Sequence, residues 1–173
     1  MDLIPSFAVD HTKLVPGIYI SRTDHLTGGD VCITYDIRMK YPNREPAINP
    51  AAMHTIEHLV ATYLRNDPYM KDKLIYWGPM GCMTGCYMIL NQEVPNIDLF
   101  TNIYNAMSFV VNYQGTIPGT DVTQCGNYLM HDLPMAKWEA KQFLERMDSD
   151  KFSFVYPKIE RQDTKEGHKF YDS

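Results

Sequence analysis

Two histidines four residues apart, with a glutamate just ahead of the second, are where this chain could do chemistry: His54-Thr55-Ile56-Glu57-His58. On a helix, positions i and i+4 share a face with Cβ atoms roughly 5 to 6 Å apart, so two imidazoles can grip one cation. Glu57, three residues after His54, lies beside that face, within reach of protons on whatever the cation binds. A cation with two His ligands needs a third, and thiolates have the softness that suits Zn(II) or Fe(II) alongside imidazole. Cys125, in Gln124-Cys125-Gly126-Asn127, is such a thiol. Three protein ligands leave a position for water or substrate, as catalytic centres do, whereas Cys82 as a fourth ligand would close the centre; spacing leaves both open. Each thiol taken alone is equally at home in a core.

These residues need a scaffold, and the sequence sketches one. Asn49 followed by Pro50 makes an N-cap and first helical position, and Met53, Ile56, Val60, Tyr63 and Leu64 recur at helical spacing, which predicts a helix over 50–66. Segments 18–22 and 31–39 are rich in β-branched and aromatic residues around the turn Thr27-Gly28-Gly29-Asp30, which predicts a hairpin. Alternation puts Ile33, Tyr35, Ile37 and Met39 on one face and Thr34, Asp36, Arg38 and Lys40 on the other, a strand buried on one side only. Further strands are expected at 73–77 and 86–90, flanking the shaped segment Gly78-Pro79-Met80-Gly81-Cys82-Met83-Thr84-Gly85. Helices are expected from Asn96 to about Val111 and, after the N-cap Asp132, to about Met147, with 115–120 a loop. The pattern is α+β: an antiparallel sheet packed with helices on one side, a two-layer sandwich. No phosphate-loop or dinucleotide fingerprint is present, and 151–173 lacks periodicity and reads as a C-terminal tail.

The chain has 173 residues, 45% apolar and 21% charged, which fits one globular domain over 1–173. Sixteen Lys and Arg stand against 21 Asp and Glu, for a net charge of -5 without a basic run, so nucleic acid is not an expected partner. No stretch of eighteen apolar residues and no basic leader followed by an apolar run occurs, which argues against membrane and export and for the cytoplasm. Four cysteines are too few for a disulfide scaffold at this length, so they are expected as buried, catalytic or metal-bound thiols.

Beyond single motifs, Ser6-Phe7-Ala8-Val9-Asp10-His11, Tyr35-Asp36-Ile37-Arg38, Pro42-Asn43, His54-Thr55-Ile56-Glu57-His58, Pro79-Met80-Gly81-Cys82 with Thr84-Gly85, and Gln124-Cys125-Gly126 follow one another in a known order. Over about its first 135 residues the chain resembles the S-ribosylhomocysteine lyase (LuxS) family of autoinducer-2 synthesis. The resemblance implies one Fe(II) per subunit, replaceable by Zn(II) or Co(II), held by His54, His58 and Cys125. It implies Cys82 and Glu57 as the acid-base pair, substrate contacts at Ser6, His11, Arg38 and Arg65, and a homodimer with both active sites at the interface. The implied reaction turns S-ribosylhomocysteine into homocysteine and 4,5-dihydroxy-2,3-pentanedione, by moving the sugar carbonyl from C1 to C3 and eliminating the thiolate across C4 and C5. The product serves quorum sensing or the recycling of a methylation by-product.

The chain also departs from that family. Tyr76-Trp77-Gly78 stands where Asp-Ile-Ser is usual, replacing an acid associated with the homocysteine amino group; Cys86 stands where an aromatic is common, and Met39-Lys40 replaces a more apolar pair. Cys86 and Cys32 are expected as core thiols, and His25 and His131 as surface residues. Two other readings compete. His-x-x-Glu-His is also the inverted zincin pattern, in which Glu57 would activate water and Glu139 or Glu145 would be the third ligand. Alternatively, His54, His58, Cys82 and Cys125 would close a structural Zn site in a non-catalytic module.

Overall fold

A computed structural model of the chain describes residues 9–147 and 154–157. Seven elements follow in the order β1 (Gly17–His25), β2 (Val31–Arg38), α1 (Pro50–Asn66), β3 (Leu74–Pro79), β4 (Gly85–Leu90), α2 (Asn96–Asn112) and α3 (Leu133–Arg146). The strands form one antiparallel sheet in the order β1-β2-β4-β3. This is the expected α+β arrangement. β1 runs beyond the predicted 18–22, through Thr23, Asp24 and His25, with a register shift between Ile20 and Arg22. An edge strand pairs through its backbone and needs no apolar side chains to continue, so hydropathy understates its length. Ser6 and most of the 151–173 tail lie outside the described residues.

Register explains the core. Ile33, Tyr35 and Ile37 of β2 stand opposite Leu90, Met88 and Cys86 of β4, and Trp77 of β3 opposite Met88, so one face of the sheet is continuously apolar. That face meets Met53, Ile56, Leu59, Val60 and Leu64 of α1 in one buried cluster to which all seven elements contribute. Cys86 reaches Met53 sulfur to sulfur at 3.6 Å, and is the core thiol expected; Cys32 is only half-buried. A Cβ at Gly85 would lie 2.3 Å from the Ile37 carbonyl oxygen, so the close approach of β2 and β4 there requires glycine.

The second face of β2 is not open, contrary to the expectation from alternation. Asp36, Arg38 and Lys40 are buried. Their charges are matched: Arg38 Nη2 meets Asp36 at 2.6 Å and Lys40 Nζ meets Glu139 of α3 at 2.9 Å. Tyr156 donates its hydroxyl to Asp36 at 2.9 Å while stacking on Tyr19. Hydropathy scores each charge as surface, whereas paired and hydrogen-bonded charges can be buried.

Candidate metal centre and active site

α1 starts where Asn49 accepts the Ala51 N–H and Pro50 presets the first turn. Its apolar stripe is sunk in the core, which leaves His54, Glu57 and His58 half-buried on the flank. The two rings are fixed by tertiary partners. His54 Nδ1 lies 2.8 Å from the Met130 carbonyl oxygen and His58 Nδ1 2.7 Å from that of Pro118. Since a carbonyl only accepts, each Nδ1 carries the hydrogen and each Nε2 is left with a free lone pair, the state a metal ligand needs.

Cys125 arrives from a tight turn in which Asp121 accepts from the Thr123 N–H and hydroxyl and the Asp121 carbonyl accepts the Cys125 N–H. Its sulfur lies 3.4 Å from His54 Nε2 and accepts the Asn127 N–H at 3.4 Å. The ligand atoms of His54, His58, Cys125 and His131 all lie within 4.8 Å of one another. Donors around a tetrahedral ion with N and S bonds of ordinary length stand about 3.3 to 3.6 Å apart, a spacing the Cys125–His54 pair shows at 3.4 Å.

His131 was expected at the surface, and the structure overturns that. Its ring stacks on His54 with centroids 4.2 Å apart and meets His58 edge-on at 4.8 Å. Burial, then the charges of His54 and His58, push its pKa down to about 4, which keeps it neutral. Cys82 does not belong to this donor group, so the closed site that included it is not formed. Glu139 is bound to Lys40 and Glu145 lies beside Lys141, so neither supplies the third ligand of the zincin reading.

Gly119 belongs to no motif legible in the sequence. It has φ +75°, and a Cβ there would lie 3.0 Å from His58 Nδ1, so glycine is required to hold Pro118's carbonyl against that ring. Glu57, His58, Trp77 and Pro118 line a cavity of about 320 Å3 beside the cluster. Trp77 is buried with its indole N–H unpartnered among the described residues, while Tyr76 is exposed.

Cys82 sits at the β3–β4 turn, where Met83 adopts φ 56°. Its sulfur lies 3.1 Å from Thr84 Oγ1 and 3.7 Å from Arg38 Nη1. Desolvation pushes this thiol up, but hydrogen bonds from Thr84 and the Arg38 guanidinium outweigh it, and the net shift is downward. Cys86, buried near Glu57 and Asp36, is pushed the other way and is inert. Arg38 itself is buried against Asp36, Thr84 and Cys82. Arg65 is exposed and donates to the Ile75 carbonyl; His11 is half-buried with Nδ1 2.8 Å from the Val9 carbonyl. His25 is exposed, as expected.

Residues 4–153 match the model of the S-ribosylhomocysteinase (LuxS) family. The chain belongs to the LuxS family. It is 50% identical over 161 residues to an S-ribosylhomocysteine lyase of Phocaeicola vulgatus, a match covering 91% of this chain and 98% of that one. A Porphyromonas gingivalis S-ribosylhomocysteine lyase is 48% identical over 85% of this chain and 92% of its own. One from Clostridium beijerinckii is 45% identical over 91% and 99%. The LuxS match spans every element described above and the whole His/Cys cluster.

Proposed function

We propose that this protein cleaves the thioether of S-ribosylhomocysteine, releasing homocysteine and 4,5-dihydroxy-2,3-pentanedione. The observation that carries the proposal is the convergence of His54, His58 and Cys125, in a LuxS-family chain, with Glu57 beside them and a second, acidified thiol at Cys82. A divalent ion held by these donors, Fe(II) with Zn(II) or Co(II) as substitutes, supplies Lewis acidity that polarises the sugar's carbonyl and hydroxyl oxygens. Each stage of the reaction removes a proton from carbon next to a carbonyl, and two bases share that work. Cys82, whose thiolate is favoured by Thr84 and Arg38, takes the proton from carbon and returns it to the neighbouring carbon. Glu57 moves protons to and from the oxygens. In the last stage a base removes a proton at C4, the C5–S bond breaks, and the departing thiolate takes up a proton as homocysteine.

Ser6, His11, Arg38 and Arg65 are proposed to hold the substrate, Arg38 also holding the charge on Cys82. The working unit is a homodimer of single-domain subunits spanning 1–173, with both active sites at the interface. Among the described residues no helix is long and apolar enough to cross a membrane. The cytoplasm, whose reducing conditions keep Cys82 and Cys125 as thiols, suits the chemistry.

The test is anaerobic turnover of S-ribosylhomocysteine by Co(II)-loaded protein, with released homocysteine read by a thiol reagent. Cys82→Ala and Glu57→Gln are each expected to keep the metal and to lose a factor of about 100 to 10,000 in rate. Full activity in either variant removes that residue from the pair, and no release from metal-loaded wild type overturns the function.

A further inference from the structure

We propose that Tyr156, in the segment after α3, is a positioning residue for Cys82 and acts on it through Asp36 and Arg38. The inference rests on the reading above that Cys82 serves as a base, and it extends the site to a part of the chain whose sequence reads only as a tail.

The segment is fastened to β1 at two points. The Phe154 carbonyl accepts the Ile20 N–H at 2.9 Å, where the register of β1 shifts, and the Tyr156 ring stacks on Tyr19 with centroids 5.0 Å apart. A tyrosine needed only as a fastening would stop there. Instead its hydroxyl, with the Ser21 hydroxyl beside it, donates to Asp36 Oδ2 at 2.9 Å. That oxygen also accepts Arg38 Nη2 at 2.6 Å, and Oδ1 accepts Arg38 Nε at 3.1 Å. Asp36 is 1% exposed, so these side chains supply the donors that a buried carboxylate requires. The two-point grip on Asp36 uses one edge of the guanidinium and turns the other, Nη1, toward Thr84 Oγ1 at 2.5 Å and the Cys82 sulfur at 3.7 Å. Tyr156 sets the plane of the carboxylate, the carboxylate sets the fork of Arg38, and the fork brings a positive edge to the thiol.

Losing the hydroxyl has two effects in one direction. Asp36 carries its charge with one donor fewer and draws Arg38 more strongly, and its carboxylate is freer to rotate, taking the guanidinium with it. Each leaves the Cys82 thiolate less stabilised. The other titratable groups facing the Asp36–Arg38 pair are the phenols of Tyr19 on β1 and Tyr87 on β4; with Tyr156 itself they are pushed up by burial, so all three stay neutral while a thiol titrates. Lys40, two residues past Arg38, is committed to Glu139 of α3.

Tyr156→Phe removes the hydroxyl and keeps the ring that stacks. In the full-length, Co(II)-loaded protein, the pH midpoint for alkylation of Cys82, read by mass spectrometry of its peptide, should move up by about 0.4 to 1 pH units, the worth of one hydrogen bond. Turnover of S-ribosylhomocysteine at pH 7 should fall by the same factor, about 3- to 10-fold, and the deficit should close as pH rises past both midpoints, where the thiolate is fully formed in either protein. A merely structural loosening would lower turnover at every pH and leave the midpoint in place. Tyr19→Phe loses a hydroxyl bonded to the Val15 carbonyl and not to Asp36, and should keep the wild-type midpoint. Tyr156→Met is the second variant should the first fail to fold, as judged by circular dichroism, and should show the same upward shift. An unchanged midpoint in a folded Tyr156 variant, or an equal shift in Tyr19→Phe, overturns the proposal while leaving the lyase reading intact. Absence of turnover in metal-loaded wild type overturns the lyase reading and this proposal with it.

Discussion

Cys82 and Cys86, four residues apart, show how little a residue type says without its surroundings. Cys86 faces the apolar side of the sheet, and burial holds it as a thiol. Cys82 sits at the turn, where Thr84 and Arg38 supply donors that overcome its desolvation. Because this shift favours the thiolate, alkylation of Cys82 in metal-loaded protein, followed by mass spectrometry of its peptide, should rise with pH through a midpoint below the ordinary thiol value of about 8.5. Thr84→Val removes a donor at almost constant shape and should move that midpoint upward. An unchanged midpoint would mean that the hydroxyl does not tune this sulfur. Gly119 is set by its surroundings in the opposite sense, by what it must lack. Gly119→Ala should displace His58 and weaken metal retention about 10- to 100-fold in a chelator competition, whereas a variant that holds the ion as wild type does would show that Pro118's carbonyl is dispensable.

At the scale of elements, the helices were legible because their signals are local. Asn49-Pro50 and Asp132 mark the starts of α1 and α3, and both caps are made. The second face of β2 was not legible, because what buries it comes from far along the chain: Glu139 meets Lys40 from 99 residues away and Arg146 binds Glu45 from 101. His131 was misread for the same reason, since its partner Thr55 is 76 residues distant. Only the His-x-x-Glu-His spacing, contained in two turns of one helix, announced the centre by itself. The Lys40–Glu139 pair ties α3 to the sheet, with both side chains almost fully buried. Glu139→Leu alone leaves Lys40 with Glu45 at 3.7 Å as its remaining carboxylate and should cost up to about 3 to 5 kcal/mol in urea unfolding. Adding Lys40→Met should restore most of that loss. A double variant no better than the single one would show that the pair is not coupled.

For the whole molecule, the question is whether the ion builds the fold or is received by it. One cluster of buried side chains draws on all seven elements, and the His/Cys group lies at the flank of α1 rather than within that cluster. The fold should therefore survive removal of the metal. Saturation at a thousandfold over Kd stabilises by about 4 kcal/mol, so chelation should lower Tm by on the order of 8 to 16 °C while circular dichroism at room temperature stays native. Unfolding on chelation would instead show that binding energy at this group is folding energy.

The chain order of the donors has a consequence for synthesis. Cys125 follows His54 by 71 residues, and the carbonyls that orient the two helix rings, those of Pro118 and Met130, are equally late. A ribosome that has released α1 has delivered two unbraced imidazoles without Cys125, the thiol that faces them. The complete His/Cys group exists only once residues 118 to 131 have emerged and folded back over α1.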